Sequence, residues 1–267
     1  MSRQNYYARR RQRQQRQVDG ELVAELVRQE RQVQPRLGVR KLRWMLAPAL
    51  AAAGVRLGRD RMFAELRVRG LLVPPLPGQW PRTTQFSPAL PVFQNRIKGQ
   101  AAKVPNEVWV GDLTYVRTAE GFLFLSLLTD QYSRKIVGYH AGETLAAAGC
   151  LLALEMALLD LPKGCKPTHH SDRGCQYCSH DYVGRLQRQD LPISMTEEDH
   201  CAQNALAERM NGILKQEYGL GGFFTTKAQG RQAVLQAVHL YNTRRPHTSL
   251  AYLVPAVVHC QPAVAKN

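Results

Sequence analysis

Residues 106–116 read NEVWVGDLTYV, and their alternation of apolar and polar side chains predicts a β-strand. On such a strand Val110 and Asp112 share one face, and Trp109 and Tyr115 share the other. Asp112 would then lie in mid-strand among apolar neighbours, where an unpaired charge is costly unless a metal ion or a charged partner balances it. This stretch therefore predicts both a strand of a sheet and a candidate functional carboxylate.

The residues after this strand predict an α/β fold. Glu120 and Gly121 form a turn into the apolar run FLFLSLLTD, which is typical of a central strand covered on both faces, and Ser133 leads into a third strand, RKIVGYHAG. The pattern then predicts a helix at about 144–160, a short strand before His170, a helix from about Ser179, the strand LPISMT and a helix around Glu208. Three strands in hairpin order, followed by alternating helices and strands, indicate a mixed sheet with helices on its faces.

Two more acidic residues occupy positions where functional groups are common. Asp172, in HHSDRGCQY, directly follows a predicted strand, and the loops of a rigid scaffold often carry functional side chains. Glu208, in QNALAERMNGILKQE, lies on a helix whose polar residues occupy one face and whose apolar residues occupy another. That polar face also carries Asn204, Asn211 and Lys215, which we expect to contact DNA, with Lys215 two turns after Glu208.

These three acids predict chemistry on a phosphodiester if the fold brings them together. Carboxylate oxygens are the ligands preferred by hard cations such as Mg²⁺. Two such ions can hold the attacking and leaving oxygens of a phosphodiester during an in-line displacement. The alternative is a set of solvated surface acids, since 35 residues separate Asp172 from Glu208 and spacing alone does not join them.

The charge of the chain points to a polyanionic partner. The net charge is +15 over 267 residues, and residues 1–70 hold 17 Lys/Arg against 6 Asp/Glu, a net charge of +11. This basic region predicts a helix or arm up to residue 17, a helix capped by Asp19, and two more short helices separated by glycines, an arrangement typical of a helix-turn-helix-like DNA-binding domain. A generic helical bundle or a solubilising basic arm is the alternative. The basic residues that we expect to contact DNA here are Arg40, Lys41, Arg43, Arg59 and Arg61.

Other features of composition limit the location and the alternatives. The first 17 residues are rich in Arg and Gln, and no run approaches the length of a membrane span, so we expect a cytoplasmic protein with free thiols. Cys175 and Cys178 raise the alternative of a zinc site, although one CxxC without a second pair is weak evidence. The motif RRPH, with Arg244, Arg245 and His247, either binds phosphates or a neighbouring subunit, or forms a packed turn made rigid by Pro246.

Several motifs in family order resemble the OrfB transposases of the insertion-sequence-three family, which carry a DDE integrase core like that of retroviral integrases. The matching pieces are SRQNYY (2–7), the helical region 38–70, NEVWVGDLTYV (106–116), HSDRGCQY (170–177), SMTEEDHCAQNALAERMNGILKQE (194–217) and YNTRRPHTSL (241–250). By position, Asp112, Asp172 and Glu208 match the three metal-binding acids of that family, and Lys215 matches the basic residue after the glutamate.

The resemblance implies a ribonuclease-H-like fold preceded by a helical DNA-binding region. It implies Mg²⁺ as the cofactor, with two ions and Mn²⁺ as a substitute, and we expect His170 to support the metal-binding acids without contacting the ions. The implied partners are double-stranded DNA, both the terminal inverted repeats of the element and the target, further copies of the chain, and an upstream OrfA-type protein or fusion. The place of action would be the bacterial nucleoid in the cytoplasm.

The expected organisation has four parts. These are a basic helical DNA-binding region (1–70), a proline-rich linker (71–105), the integrase core (106–220) and a C-terminal helix with the RPH-containing tail (221–267). The expected function is metal-dependent strand cleavage and strand transfer. A nuclease that does not join strands, or a decayed or repurposed DNA-binding protein, remains the alternative.

Overall fold

The computed structural model of the chain describes residues 3–74, 90–197 and 204–261. The chain divides into two compact units, Met1–Leu76 and Pro77–Asn267. Within the described ranges, no helix has both the length and the apolar character that crossing a membrane requires.

The first unit is helical. Its elements are α1 Arg3–Val33, α2 Val39–Ala52 and α3 Arg59–Val68. The second half of α1 packs against α2 and α3 through Val23, Val27, Leu42, Met62 and Leu66, each at most marginally accessible to solvent. The first half of α1, residues 3–18, is exposed throughout.

Helix α1 differs from the sequence-based expectation, because it continues through Asp19 instead of starting after it. Asp19 does not cap a helix; its carboxylate lies 3.5 Å from the guanidinium of Arg61 on α3. The next residue, Gly20, is buried against the side chains of Glu65 and Arg69, where a Cβ atom would overlap the Arg69 guanidinium. The Asp-Gly pair thus allows close helix packing here and does not mark a helix start.

The second unit contains the predicted mixed sheet. Its strands are β1 Val108–Thr118, β2 Gly121–Asp130, β3 Ile136–Gly142, β4 Thr168–Ser171, β5 Ile193–Met195 and β6 Phe223–Phe224. The first three form an antiparallel meander, and β4 and β5 then add in parallel to the other side of β1, which gives the order β3-β2-β1-β4-β5. The two-residue strand β6 pairs with the far end of β1.

Helices cover both faces of this sheet. They are α4 Ala147–Leu159, α5 His180–Arg188, α6 Ala205–Glu217, α7 Lys227–Thr243 and α8 Pro255–Cys260, with a 3₁₀ turn at Thr248–Leu250. One apolar core joins the sheet to α4 and α5, and a second joins it to α6 and α7. Because β1 lies between two neighbours and between two helical layers, a polar side chain on it is held in a defined place.

The approach of α4 to the sheet is closest at Gly138 on β3. A Cβ atom at this position would overlap the backbone carbonyl oxygen of Ala153 on α4. Glycine is therefore required here for lack of space, since the facing atom is backbone and cannot move aside as a side chain does.

Of the predicted linker, residues 75–89 lie outside the described residues, and residues 90–105 pack within the second unit. Leu90 and Phe93 contact the core beneath α4 and α5. The backbone N–H of Arg96 donates to Ser194 Oγ at 2.9 Å, and that of Ala102 donates to Gln131 Oε1 at 2.8 Å. These contacts could not be predicted from the proline-rich sequence, because they use single apolar side chains and backbone groups that follow no periodic pattern.

Candidate active site

Asp112 and Asp172 lie just past the point where the parallel pairing of β1 with β4 ends. Strands β1 and β4 pair in parallel with Val110 opposite His170. Asp112 follows Val110 by two residues and Asp172 follows His170 by two, so backbone pairing gives both acids the same offset. Asp172 lies just beyond the last residue of β4, as the sequence predicts.

The carboxylate of Asp112 accepts one hydrogen bond on each oxygen. Its Oδ1 accepts from the backbone N–H of Leu113 at 2.8 Å, and its Oδ2 accepts from the side-chain amide of Asn211 at 2.6 Å. Burial raises the pKa of Asp112 to about 7, with a further rise from the charge of Asp172 and a smaller one from Glu208. Asp172 and Glu208 are therefore both within electrostatic range of Asp112.

Asp172 is held by the turn that follows β4. Its Oδ1 accepts from the backbone N–H of Gly174 at 3.0 Å, and a Cβ atom on Gly174 would come within 3.0 Å of that same oxygen. Glycine suits position 174 because the Asp172 carboxylate folds back over it. This local hydrogen bond fixes the Asp172 side chain directly after the end of β4.

Glu208 lies in the first turn of α6, with an exposed side chain. The opposite face of this helix is buried through Ala207, Met210, Ile213 and Leu214. The helix also contacts β1 through polar groups, since the amide of Asn204 donates to the backbone carbonyl of Gly111 at 3.4 Å. The structure thus brings the helix acid to the strand that carries Asp112.

The three acids fit a hard divalent cation by their chemistry. The donors are carboxylate oxygens alone. Burial, and then repulsion by Asp172 and Glu208, raise the pKa of Asp112, and a bound cation relieves this cost of ionisation. Within residues 3–74, 90–197 and 204–261, no three His, Cys, Asp or Glu side chains are close enough to form a finished metal site. The acids are therefore near one another without forming a closed set of ligands.

Lys215 is placed differently from the expected DNA contact, because only 7% of it is exposed. Its ammonium lies 4.4 Å from the centre of the Tyr115 ring on β1. Burial lowers the pKa of Lys215 to about 8, the charge of Asp112 acts in the opposite direction, and Arg117 lowers it further. Asn204 and Asn211 are likewise buried and bonded to β1.

The two adjacent histidines of β4 support the sheet. His170 is fully buried, and its Nδ1 forms a 2.9 Å hydrogen bond with Ser194 Oγ on β5. The Nε2 of His169 bonds to the Tyr182 hydroxyl at 2.9 Å, and burial lowers the pKa of His169 to about 3. Gly111 makes room for that ring, since a Cβ atom there would lie 3.1 Å from His169 Nε2.

The basic residues predicted to bind DNA in the first unit divide into two groups. Arg40, Arg43 and Arg59 are exposed, although Arg59 pairs with Asp60 at 2.8 Å and Arg43 donates to the Leu57 carbonyl at 3.3 Å. Lys41 and Arg61 are only partly exposed, and Arg61 pairs with α1. The exposed first half of α1 adds Arg3, Arg9, Arg10, Arg11, Arg13 and Arg16, with no acidic residue before Asp19.

The RRPH motif forms a packed turn. The guanidinium of Arg245 is 1% exposed and donates to both carboxylate oxygens of Glu217 at 2.8 and 2.9 Å. Its third nitrogen lies 2.7 Å from His247 Nε2. Of the two interpretations of this motif, the buried turn agrees with the structure. The Cys178 thiol likewise lies in the core, 3.7 Å from the sulfur of Met195.

Comparisons with known proteins agree with this arrangement. The family model described as integrase core domain matches residues 102–201, and a second model with the same description matches residues 189–255. In the solved simian T-cell lymphotropic virus intasome in complex with PP2A regulatory subunit B56 gamma, one chain has a similar fold, with a TM-score of 0.53, 17% identity, and coverage of 84% of this chain and 75% of that one.

Two bacterial relatives are considerably closer in sequence. The insertion element IS600 uncharacterized 31 kDa protein of Shigella sonnei is 36% identical over 213 residues, which cover 79% of this chain and 78% of that protein. The transposase InsF for insertion sequence IS3fB of Escherichia coli (strain K12) is 33% identical over 218 residues, with coverage of 79% and 73%. The chain therefore belongs to the insertion-sequence-three family of transposases, which carry an integrase core domain.

Proposed function

We propose that the chain cleaves and joins DNA strands at the ends of its insertion sequence, with Asp112, Asp172 and Glu208 as the catalytic carboxylates. The observation that carries this proposal is the matched placement of the two aspartates on β1 and β4, with α6 bringing Glu208 into electrostatic range of Asp112. In the first transfer, water attacks a phosphodiester and a 3′-hydroxyl leaves. In the second, that hydroxyl attacks another phosphodiester, so one P–O bond forms as one breaks.

The three acids would hold two Mg²⁺ ions, with Mn²⁺ as a substitute. The chemistry that such ions supply when bound is activation of the attacking oxygen and stabilisation of charge on the leaving oxygen. Asp112 and Asp172 would contribute ligands from rigid backbone positions, and Glu208 would contribute one from the exposed face of α6. The ammonium of Lys215, which interacts electrostatically with Asp112, would offset part of this negative charge.

The first unit would bind double-stranded DNA, both the terminal inverted repeats and the target. The support is its charge and the exposed arginines of the first half of α1. We further propose that the chain acts as a homo-oligomer on DNA, in the cytoplasm at the nucleoid, with an upstream OrfA-type protein or fusion as a partner. The domain organisation with a linker between the DNA-binding region and the core belongs to the same proposal.

The direct test uses Asp172→Asn on duplexes that carry the element ends. The variant should lose strand cleavage while binding the duplex within a few-fold of the parent protein, and retained cleavage would refute the assignment. Asp160→Asn, at an exposed position after α4, is the matched control and should cleave normally. End-labelled DNA with an unlabelled target then distinguishes a transposase, which joins strands, from a nuclease, which only cleaves.

A further inference from the structure

Asn211 was expected to contact DNA, but its amide group is used inside the protein. The side chain is 9% exposed, and its Nδ2 donates to Asp112 Oδ2 at 2.6 Å. Among the described residues, Asn211 is the side-chain donor to Asp112. The other carboxylate oxygen of Asp112 accepts a hydrogen bond from the backbone N–H of Leu113. A charged acceptor makes such a bond shorter and stronger than one between neutral groups.

The charge of Asp112 also fixes which way the amide points. If the amide of Asn211 were reversed, its oxygen would face a carboxylate oxygen across a hydrogen-bond distance, and the two would repel. Only the donor orientation is favourable while Asp112 is ionised. Asn211 thus recognises the charged form of that carboxylate.

Asn211 is one of two asparagines that join α6 to β1. Asn204 lies seven residues earlier, which is two helical turns, and donates to the carbonyl of Gly111, the residue before Asp112. The two amides therefore bind consecutive residues of β1 from one face of α6. Glu208 lies between them along the helix and projects beyond them into solvent.

We propose that Asn211 is a positioning residue, which holds the carboxylate of Asp112 and the helix that carries Glu208 in one fixed relation. The inference rests on the proposed function, because it assumes that these two acids bind divalent cations. Asn211 lies three residues after Glu208, so the same helical turn that presents one acid restrains the other. Without the amide, Asp112 keeps only the hydrogen bond from the Leu113 backbone, and one of the two asparagine contacts with β1 is lost.

The test measures Mn²⁺ binding to the full chain without DNA, by titration calorimetry or by the electron paramagnetic resonance signal of free Mn²⁺. Asn211→Leu, which keeps the approximate size of the side chain and removes the donor, should weaken Mn²⁺ binding by about 10- to 100-fold, the usual loss when a partner of a metal ligand is removed. The Mg²⁺ concentration for half-maximal cleavage should rise by a similar factor. Affinity for the duplex should stay within about twofold.

Asn242→Leu is the matched control. Asn242 joins α7 to β3 by two hydrogen bonds with the backbone of Ile136, both 2.9 Å long. Its replacement therefore removes at least as many hydrogen bonds as that of Asn211, on a strand that β2 separates from β1. It should lower the thermal midpoint while leaving Mn²⁺ affinity within about twofold. Asn211→Gln, which keeps the donor on a longer side chain, should recover part of the affinity that Asn211→Leu loses.

The outcomes separate the inference from the function on which it rests. Wild-type Mn²⁺ affinity retained in folded Asn211→Leu would overturn the inference, and a tenfold loss of duplex affinity in its place would identify Asn211 as a DNA contact. If Asn211→Leu does not fold, equal Mn²⁺ affinity of Asn211→Gln and Asn211→Ser would overturn it. A parent chain that binds Mn²⁺ but neither cleaves nor joins DNA would refute the proposed function, while the ratio of variant to parent affinities would still decide the role of Asn211.

Discussion

Asp172 repels Asp112 across two parallel strands, and the backbone prevents the two acids from moving apart. Their strands are hydrogen-bonded up to the residue pair Val110 and His170, two positions before each acid. Burial, together with this repulsion, raises the pKa of Asp112 to about 7. The metal-free protein therefore carries a charge arrangement that costs stability and that a bound cation would relieve.

Asp112→Asn should stabilise the metal-free protein at pH 8. The folded pKa of Asp112 lies above its ordinary value, so the folded state favours the protonated carboxyl. The stability of the folded state is therefore highest below about pH 4, and part of it is lost as Asp112 ionises and the pH rises through about 7. The uncharged variant avoids this loss, and each kcal/mol recovered corresponds to roughly 2–4 °C in thermal midpoint. Thermal unfolding in EDTA should show a higher midpoint for the variant at pH 8 and little difference at pH 4. Equal midpoints at pH 8 would contradict the raised pKa, and added Mg²⁺ should stabilise only the parent.

Replacing four arginines in the exposed first half of α1 by glutamine should reduce the salt dependence of DNA binding. Arg9, Arg10, Arg11 and Arg13 are exposed, and each phosphate contact contributes about 0.9 to the slope of log affinity against log salt concentration. The quadruple variant should lose roughly 3 units of slope, measured by fluorescence anisotropy on duplex DNA. Arg28→Gln, whose parent side chain pairs with Glu25 at 3.5 Å, is the control and should change the slope little. An unchanged slope in the quadruple variant would place the phosphate contacts elsewhere.

Arg245→Met should destabilise the second unit by about 3–5 kcal/mol, because it leaves the carboxylate of Glu217 without its buried partner. Chemical denaturation monitored by circular dichroism measures this loss. Arg188→Met, at an exposed position at the end of α5, should change stability by about 0.5 kcal/mol or less. Full stability of Arg245→Met together with weakened DNA binding would instead favour a phosphate-binding role for the RRPH motif.

Two glycines at the interface of β3 and α4 should respond to alanine in opposite ways. Gly138→Ala should be strongly destabilising, since the new methyl group overlaps the Ala153 carbonyl. Gly149→Ala should stabilise by about 0.4–1 kcal/mol, because a Cβ atom there approaches other atoms no closer than 3.6 Å and alanine favours the helix. Thermal midpoints of the two variants, measured in parallel, test the packing of α4. A tolerated Gly138→Ala would show that this packing is looser than described.

Much of the sheet was predictable because its signals are local. The alternation in residues 106–116 correctly predicts β1 and the strand position of Asp112, and the polar residues after β4 correctly predict where Asp172 emerges. The parallel pairing that gives the two acids equal offsets is not visible in the sequence. It depends on backbone hydrogen bonds between segments about 60 residues apart in the chain.

The helix that carries Glu208 shows where sequence patterns stop being informative. Its period correctly groups Asn204, Glu208, Asn211 and Lys215, but it does not reveal what lies opposite them. A polar face meets solvent on most helices. Here Asn204 and Asn211 bond to polar groups of β1, Lys215 lies over the Tyr115 ring, and all three are buried. The bonding partner of His169 is hidden for a related reason, since Tyr182 lies on α5 and His169 on β4.

The parallel pairing of β1 with β4 also bears on how such chains tolerate length changes. Main-chain hydrogen bonds between β1 and β4 hold the two aspartates in place. Glu208 lies on α6, which follows α5 and β5 in the chain and contacts β1 through its side chains. Insertions or deletions between Asp172 and Glu208 would alter the route to α6 without disturbing either strand acid, provided that the helix docks through the same two asparagines. The 35-residue interval is thus the most adjustable distance in the site, and a homologue with a different interval retains the same centre if the equivalents of Asn204 and Asn211 remain seven residues apart.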